Sequence, residues 1–253
     1  YDIGASFGGF DATLESELSA GSGLSSSAAF AVLMCRIFNG LYNNSELEPQ
    51  AIARIARQAE NLHFGKPCGL MDQLACALGK AVYIDFLTGE ITPVNADFSR
   101  MGLTLCLTDT GGSHAGLDTS YARIPADMRY IESFFGKELL GEVDPAEFYA
   151  KKWNTADRPV RRAKHFFDEN ARVPKMRDAL TAGNAREYMR LMNESGRSSE
   201  ELLNNIVTSA TDDRKLETGL YLSRKLLEGI GAWRVHGGGF AGCVQALMPM
   251  NYF

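Results

Sequence analysis

The chain has 253 residues, of which 45% are hydrophobic and 23% are charged, and its formal net charge is −5. This length supports one large domain or two lobes with a substantial core, and the acidic balance argues against non-specific nucleic-acid binding. No apolar run approaches the roughly 18 residues of a membrane span, and no signal peptide is recognisable. The five scattered cysteines favour reduced thiols in a cytoplasmic protein over a disulfide framework or a zinc site.

The first predicted elements surround a loop rich in glycine and serine. Alternating apolar residues over 9–18 predict a half-buried strand, which leads into Gly-Ser-Gly-Leu-Ser-Ser-Ser-Ala at residues 21–28. The apolar segment that follows predicts a helix over residues 26–39 that is buried on every side, with Asn39-Gly40 as its stop. The loop therefore leads directly into the N-terminus of a central helix.

The N-terminus of this helix is a candidate phosphate site. Free backbone N–H groups and the positive end of the helix dipole meet there, which suits an anion. A serine-capped core helix after a turn explains the glycine and serine content as well. Three consecutive serines favour the phosphate site, because one serine suffices as a cap and the others can bind anions or Mg²⁺. The run is not a Walker A loop, since no Gly-Lys-Ser/Thr follows.

Two carboxylates follow in the next pair of predicted helices. Ser-Glu-Leu-Glu at residues 45–48 predicts a capping box, and Glu60 falls near the carboxyl end of the helix that it opens. The helix dipole opposes a carboxylate there, so either Glu60 is exposed to solvent or a bound cation offsets the cost. After a turn at residues 65–69, Asp72 falls in the first turn of a short helix over 70–78, which is a common position for an acid.

The rest of the chain is predicted to be mainly helical and to end in strands. The basic residues within 158–164 predict a solvated helix face, and His114, in a Gly-Gly loop, is interpreted as structural. A hairpin turn rarely needs three consecutive glycines. The run at Gly237, Gly238 and Gly239 therefore favours a loop that packs closely against a ligand or another loop. The order of elements predicts an α+β class with two lobes. The predicted elements are strands at 81–86, from 91, at 102–109, 232–236 and 241–248, and helices within 118–229.

Three stretches, in this order along the chain, resemble the motifs of the GHMP small-molecule kinases. They are residues 21–28, Pro-Cys-Gly-Leu-Met-Asp-Gln at 67–73, and Trp-Arg-Val-His-Gly-Gly-Gly-Phe-Ala-Gly at 233–242. Together they are most similar to the galactokinase branch of this family. The resemblance implies a ribosomal-S5-domain-2-like N-terminal lobe over residues 1–100 and a ferredoxin-like α/β C-terminal lobe over 101–253. It also implies a further N-terminal segment with a Gly-Glu-His-Thr-Asp type sugar-binding motif, and a further C-terminal strand.

The resemblance implies ATP-dependent phosphorylation of galactose at its anomeric hydroxyl by a monomer or weak dimer, with Mg²⁺ as cofactor. Asp72 is then the catalytic residue, as a base or as an electrostatic anchor, and Ser27 and Glu60 bind Mg²⁺. The implied sugar contacts are Cys68, Gly69, Asp72 and Tyr121, and the site-supporting residues are Gly237, Gly238 and Gly239. The implied ATP-binding residues are Gly21, Ser22, Gly23, Leu24, Ser25, Ser26 and Ser27.

Three alternatives to this function stay open. They are another kinase of the family with a different small alcohol as substrate, a non-catalytic sugar or ATP sensor on the same fold, and a purely structural α+β domain. A sensor is expected to have lost the serine run or Asp72, and the sequence contains both. A structural domain is expected to gain no thermal stability from ATP and Mg²⁺. For Cys68 and Tyr121, packing alone is the alternative role.

Overall fold

The computed structural model describes residues 8–17, 24–65, 68–114 and 116–252. The chain divides into two compact units, Tyr1–Ile84 with Ile91–Pro93, and Asp85–Glu90 with Val94–Phe253. Helices and antiparallel strands occupy separate stretches of both units, which confirms the predicted α+β class. The predicted lobes, residues 1–100 and 101–253, stay a prediction.

The first unit packs three helices around a small apolar core. The helices α1, α2 and α3 bury aliphatic side chains against one another, and a two-stranded antiparallel sheet, β1 with β2, follows them. Within residues 8–17 the predicted strand is wrong, because no strand forms there and residues 11–17 are exposed. Alternation alone does not make a strand without a neighbour to pair with. The elements are α1 Ser26–Tyr42, α2 Pro49–Leu62, α3 Met71–Leu78, β1 Val82–Ile84 and β2 Ile91–Pro93.

Helix α1 starts where the sequence predicts but is buried along only one stripe. Its buried residues are Ala28, Val32 and Asn39, which face α2 and α3, whereas Phe30 and Leu41 are 49% and 57% exposed. The prediction of a helix buried on every side is therefore wrong. The predicted stop is wrong as well, because α1 continues past Asn39 to Tyr42. The side-chain Oδ1 of Asn39 accepts a 3.1 Å hydrogen bond from the Leu47 backbone N–H.

Helix α2 begins without the predicted capping box. Its first residue is Pro49, which suits the first helical position because the missing N–H would have no partner there. Glu48 is the N-cap residue and makes no side-chain cap hydrogen bond. Ser45 instead belongs to the turn after α1, with a φ of 60° and its backbone N–H bonded to the Asn39 carbonyl. Proline, not the serine, therefore sets the start of α2.

The second unit is built on a three-stranded antiparallel sheet in the order β3-β5-β4. The register pairs Leu103 with Pro249 at one end of β3 and β5, and Ala232 of β4 with Leu247 of β5. Helices α6 and α7 pack on one another, and α7 and α8 pack on β4. None of the helices in the described residues combines the length and the apolar character needed to cross a bilayer. The elements are β3 Leu103–Asp109, α4 Asp118–Phe134, α5 Pro145–Ala150, α6 Arg158–Thr181, α7 Ala185–Ser198, a π-helix Ser199–Leu203, α8 Lys215–Leu227, β4 Ala232–Val235 and β5 Cys243–Pro249.

A buried ion triad joins α4 to α6. Asp127 is 8% exposed, and its Oδ2 accepts hydrogen bonds from Arg158 Nε at 2.6 Å and from Arg162 Nη1 at 2.8 Å. Arg162 is 3% exposed and also donates to the Leu203 carbonyl. The prediction that this basic cluster is a solvated helix face is therefore wrong for Arg162. The sequence could not identify its partner, which lies 35 residues away along the chain.

We expect this triad to make stability pH-dependent. Burial raises the pKa of the Asp127 carboxyl, but the hydrogen bonds and charges of Arg158 and Arg162 outweigh it and hold the pKa below its ordinary value. The stabilisation is therefore complete above the unfolded-state pKa of about 4 and is lost as the pH falls through the lower folded-state pKa. Asp127→Asn should lower the free energy of unfolding at pH 7 by about 3–5 kcal/mol, because it leaves Arg162 buried without a counter-charge.

Urea unfolding at pH 7 and pH 3 measures this effect. The difference between Asp127→Asn and the unsubstituted protein should shrink at the lower pH. The control is Glu200→Gln, which breaks the 3.1 Å ion pair of Glu200 with Arg224, whose side chains are 48% and 52% exposed. An exposed pair contributes at most about 1 kcal/mol. If Asp127→Asn and Glu200→Gln lowered the free energy of unfolding by the same amount, the proposed role of the triad would be contradicted.

Candidate active site

The N-termini of α1 and α3 meet at a hydrogen bond between two predicted site residues. Ser25, directly before α1, donates its hydroxyl hydrogen to Asp72 Oδ2 at 2.7 Å. Ser25 makes no side-chain cap hydrogen bond to its own helix, and its backbone has the left-handed φ of 56°, which is uncommon for serine. The simple role of a serine cap therefore does not describe Ser25, whose side chain is directed to the carboxylate in the first turn of α3.

The other predicted phosphate-binding residues lie around the start of α1. Leu24 and Ser26 are half-buried, and Ser27 is exposed. The first backbone N–H groups of α1 have no acceptor within the helix, as at every helix N-terminus. Donors at a helix N-terminus suit an anionic group, and phosphate binding at this one stays a prediction. The predicted ligands Gly21, Ser22 and Gly23 lie outside the described residues.

Glu60 is buried in a polar cluster that joins α2 to α3. Its side chain is 4% exposed, so the alternative of a solvent-exposed glutamate is wrong. Gln73 Nε2 donates to Glu60 Oε2 and, at 3.4 Å, to Cys68 Sγ. Asn61 Oδ1 accepts the backbone N–H of Cys68 at 2.9 Å. Asn61 and Gln73 hold Cys68 next to Glu60. Neither of these two residues was predicted, although Gln73 directly follows Asp72 in the sequence.

The carboxylates of Asp72 and Glu60 both affect the thiol of Cys76. Burial raises the pKa of Cys76, and the negative charges of Asp72 and Glu60 raise it further. Asp72 and Cys76 are one helical turn apart on α3, and Gln73 connects the same helix to Glu60. The hydrogen bonds place Ser25 beside Asp72 and Glu60 beside Gln73, so successive residues of α3 contact the two predicted site residues.

The donor set of this neighbourhood suits Mg²⁺. Carboxylate and hydroxyl oxygens are hard ligands, and Mg²⁺ is usually held by one or two protein oxygens plus phosphates and water. Among the residues that the structure describes, no group of three or more His, Cys, Asp and Glu side chains is arranged to hold a metal by itself. A Mg²⁺ site at Ser27 and Glu60 would need most of its ligands from a bound polyphosphate and solvent, and it stays a prediction.

The predicted sugar contacts of the first unit lie beside this cluster. Cys68 is half-buried, and its carbonyl accepts a hydrogen bond from Arg57 Nε at 3.3 Å. Gly69 is exposed and directly precedes the residue that N-caps α3. These contacts hold the 68–69 loop next to Gln73 and Glu60. A contact of Cys68 or Gly69 with a sugar stays a prediction.

In the second unit, Tyr121 of α4 holds the glycine loop at residues 237–239. Its hydroxyl donates to the Gly239 carbonyl at 2.6 Å and lies 2.7 Å from His114 Nδ1, and its ring packs edge-on against Phe240. Burial raises the pKa of Tyr121 to about 12. Because the hydroxyl can donate only one hydrogen bond, His114 Nδ1 donates to it in turn. The Tyr121 hydroxyl is therefore engaged on both sides by the protein.

The glycine loop needs glycine chiefly at Gly239. A Cβ there would lie 2.1 Å from the Asn205 carbonyl oxygen, and the φ of 81° disfavours any other residue. Asn205 is 1% exposed and donates through Nδ2 to the Gly238 carbonyl at 3.1 Å. Gly237 also has a positive φ, but no atom of the described residues lies within 4 Å of the position that a Cβ would take there. Asn205, which sequence analysis did not select, is the main protein contact of this loop.

Comparison with known proteins finds a family match within the first unit. Residues 2–80, which include the serine run, Glu60 and Asp72, match the family of the GHMP kinases N terminal domain. The structure is similar to that of Lactococcus lactis galactokinase complexed with galactose, with a TM-score of 0.77 and 25% sequence identity. The chain has the GHMP kinase fold. The predicted fold class is therefore confirmed.

Two mevalonate kinases have the same fold at lower identity. L. major mevalonate kinase in complex with R-mevalonate has a TM-score of 0.58 and 19% identity, over 88% of this chain and 56% of that one. Mevalonate kinase from methicillin-resistant Staphylococcus aureus MRSA252 has a TM-score of 0.51 and 19% identity, over 92% of this chain and 60% of that one. The similarity to the galactokinase covers 93% of this chain and 60% of the galactokinase chain.

Proposed function

We propose that this protein is an ATP-dependent kinase that transfers the γ-phosphoryl group to the anomeric hydroxyl of galactose. The observation that supports it most directly is the 2.7 Å hydrogen bond between Ser25 and Asp72. A kinase needs a phosphate cradle and a group that faces the acceptor hydroxyl, and both must be adjacent because phosphoryl transfer depends mainly on positioning and charge neutralisation.

In this proposal, the residues of the first unit that were predicted to bind phosphate, metal and the acceptor hydroxyl have distinct roles. The amides and hydroxyls at the start of α1 bind the polyphosphate, and Ser27 and Glu60 would hold Mg²⁺. When bound, Mg²⁺ neutralises the charge of the phosphate oxygens. Asp72 orients the sugar hydroxyl and either accepts its proton or stabilises the hydroxyl electrostatically. The roles of Cys68 and Gly69 at the sugar, and those of Tyr121 and the 237–239 loop, stay predictions.

Galactose is proposed as the acceptor on two grounds. The sequence over residues 67–73 resembles the galactokinase branch of the family, and a galactokinase structure complexed with galactose is 25% identical to this chain. The two mevalonate kinases share 19% identity, which supports the fold alone. A non-catalytic sensor is disfavoured because Asp72 and the serine run are present.

The test is ADP release by the full-length protein with ATP, Mg²⁺ and a panel of acceptors. The panel contains galactose, glucose, mevalonate and homoserine, and ³¹P NMR identifies the product. We expect turnover on galactose and a phosphate ester at its anomeric oxygen. Turnover only on a non-sugar alcohol would overturn the choice of galactose. No turnover on any acceptor, together with no rise in melting temperature with ATP and Mg²⁺, would overturn the kinase function itself.

A further inference from the structure

The side chain of Gln73 is a buried polar group to which the proposed mechanism assigns no role. It is 2% exposed and lies on α3, directly after Asp72. Its Nε2 donates to both the Glu60 carboxylate and the Cys68 thiol sulfur. One amide nitrogen therefore connects the predicted metal ligand to the loop that carries the predicted sugar contacts.

The hydrogen-bond partners determine which way the Gln73 amide points. A carboxylate only accepts hydrogen bonds, so the amide nitrogen, and not the amide oxygen, faces Glu60. That oxygen, Oε1, is buried and has no hydrogen-bond partner within the described part of the chain. A buried acceptor without a partner destabilises the folded state, so a purely structural role explains Gln73 poorly.

The chemistry of an amide suits the task of orienting a metal carboxylate. A free glutamate has several rotatable bonds, so a fixed orientation of the Glu60 carboxylate needs a hydrogen-bond partner. A lysine or arginine at position 73 would hold Glu60 but would also neutralise it. Glutamine holds one carboxylate oxygen through a neutral donor, so the negative charge that attracts a cation is retained.

We propose that Gln73 is a positioning residue for a divalent cation. It orients the Glu60 carboxylate through Nε2, and its Oε1 accepts a hydrogen bond from a water molecule in the hydration shell of the cation. This inference rests on the proposed function, because it takes Glu60 to be a ligand of Mg²⁺. It assigns the ligand class, a hydrated divalent cation with a nucleotide, to a residue outside the predicted site.

The test measures cation binding separately from catalysis. Mn²⁺ is titrated into the full-length protein in the presence of ADP, and free Mn²⁺ is followed by EPR. Gln73→Met removes both hydrogen bonds at similar volume, and we expect it to weaken Mn²⁺ binding by about 10–100-fold, the usual effect of losing a partner of a metal ligand. ADP binding in EDTA should be unchanged.

The matched control is Gln58→Met. Gln58 is a half-buried residue of the same helix as Glu60 and lines a surface groove with Arg54 and Arg57. The chemical change is identical, so Mn²⁺ affinity should stay at the unsubstituted value. If Gln73→Met binds Mn²⁺ as tightly as this control, the proposal is overturned.

A second variant gives a readout that packing alone would not change. Gln73→Glu is nearly isosteric and places a second carboxyl beside Glu60, and two such groups share a proton over part of the pH range. Mn²⁺ affinity of this variant should rise more steeply between pH 5 and pH 8 than that of the unsubstituted protein. Parallel pH profiles would contradict direct contact with the metal carboxylate, and this variant remains informative if Gln73→Met does not fold.

Glu60→Gln distinguishes a failure of the proposed role of Gln73 from a failure of the proposed metal site at Glu60. If Glu60→Gln weakens Mn²⁺ binding and Gln73→Met does not, only the role of Gln73 fails. If the unsubstituted protein binds no Mn²⁺ with ADP, or Glu60→Gln binds it normally, then the metal assignment in the proposed function fails and the inference fails with it.

Discussion

Asp72→Asn is expected to lower the turnover of the full-length protein by about 10²–10⁴-fold, the usual contribution of a positioned proton acceptor. Asparagine keeps the size of the side chain and an oxygen that can accept the Ser25 hydrogen bond at this position. It removes the negative charge that faces the acceptor hydroxyl in the proposed mechanism. ADP release measures kcat, and ADP affinity and melting temperature should change little because the phosphate cradle is intact.

The matched control for this prediction is Asp118→Asn. Asp118 is an exposed aspartate in the first turn of α4, so its substitution makes the same chemical change at the same kind of helix position. Its turnover should equal that of the unsubstituted protein. If Asp72→Asn turned over galactose at the same rate as Asp118→Asn, Asp72 would have no catalytic role and the proposed mechanism would be wrong.

Gly239→Ala is expected to lower the free energy of unfolding by about 2–5 kcal/mol, from overpacking and from a left-handed backbone. The new Cβ would lie 2.1 Å from the Asn205 carbonyl oxygen and 2.6 Å from its Nδ2, at a φ of 81°. Asn205 is fully buried and cannot move aside without losing its hydrogen bond to the Gly238 carbonyl. Urea unfolding measures the loss.

Gly237→Ala separates steric contact from backbone strain. Gly237 has a φ of 65°, but no atom lies within 4 Å of the position that a Cβ would take. This variant should therefore show only the backbone cost of about 1–2 kcal/mol. If both alanine variants lost the same stability, then the contact with Asn205 would not be the reason that residue 239 is glycine.

The local features of the first unit were predictable because they depend on neighbouring residues. The start of α1 at Ser26 follows from the glycine–serine loop and the apolar segment after it. Asp72 falls in the first turn of α3, as the preceding turn and the helical pattern indicate. The strands of the second unit follow in the same way from alternation, and its helices fall within the stretch 118–229 that is predicted to be mainly helical.

Other predictions failed where a partner distant in sequence decides the outcome. Nothing within α1 indicates that α2 and α3 cover only one of its sides, so its exposed Phe30 and Leu41 were not anticipated. Arg162 is buried because Asp127 approaches from another helix, whereas the sequence around it is typical of a solvated face. The burial of Glu60 likewise depends on Gln73 of α3, 13 residues later in the chain.

The amino-acid sequence alone determined the α+β class, the order of most elements and the motifs that resemble GHMP kinases. Only the tertiary structure decided that Ser25, 47 residues before Asp72, bonds to its carboxylate, that Gln73 holds Glu60, and that Asn205 packs closely against Gly239. The physical reason is the separation along the chain over which each kind of interaction acts. Backbone propensity, capping and periodicity act over a few neighbouring residues, whereas burial and side-chain hydrogen bonds depend on which elements pack together.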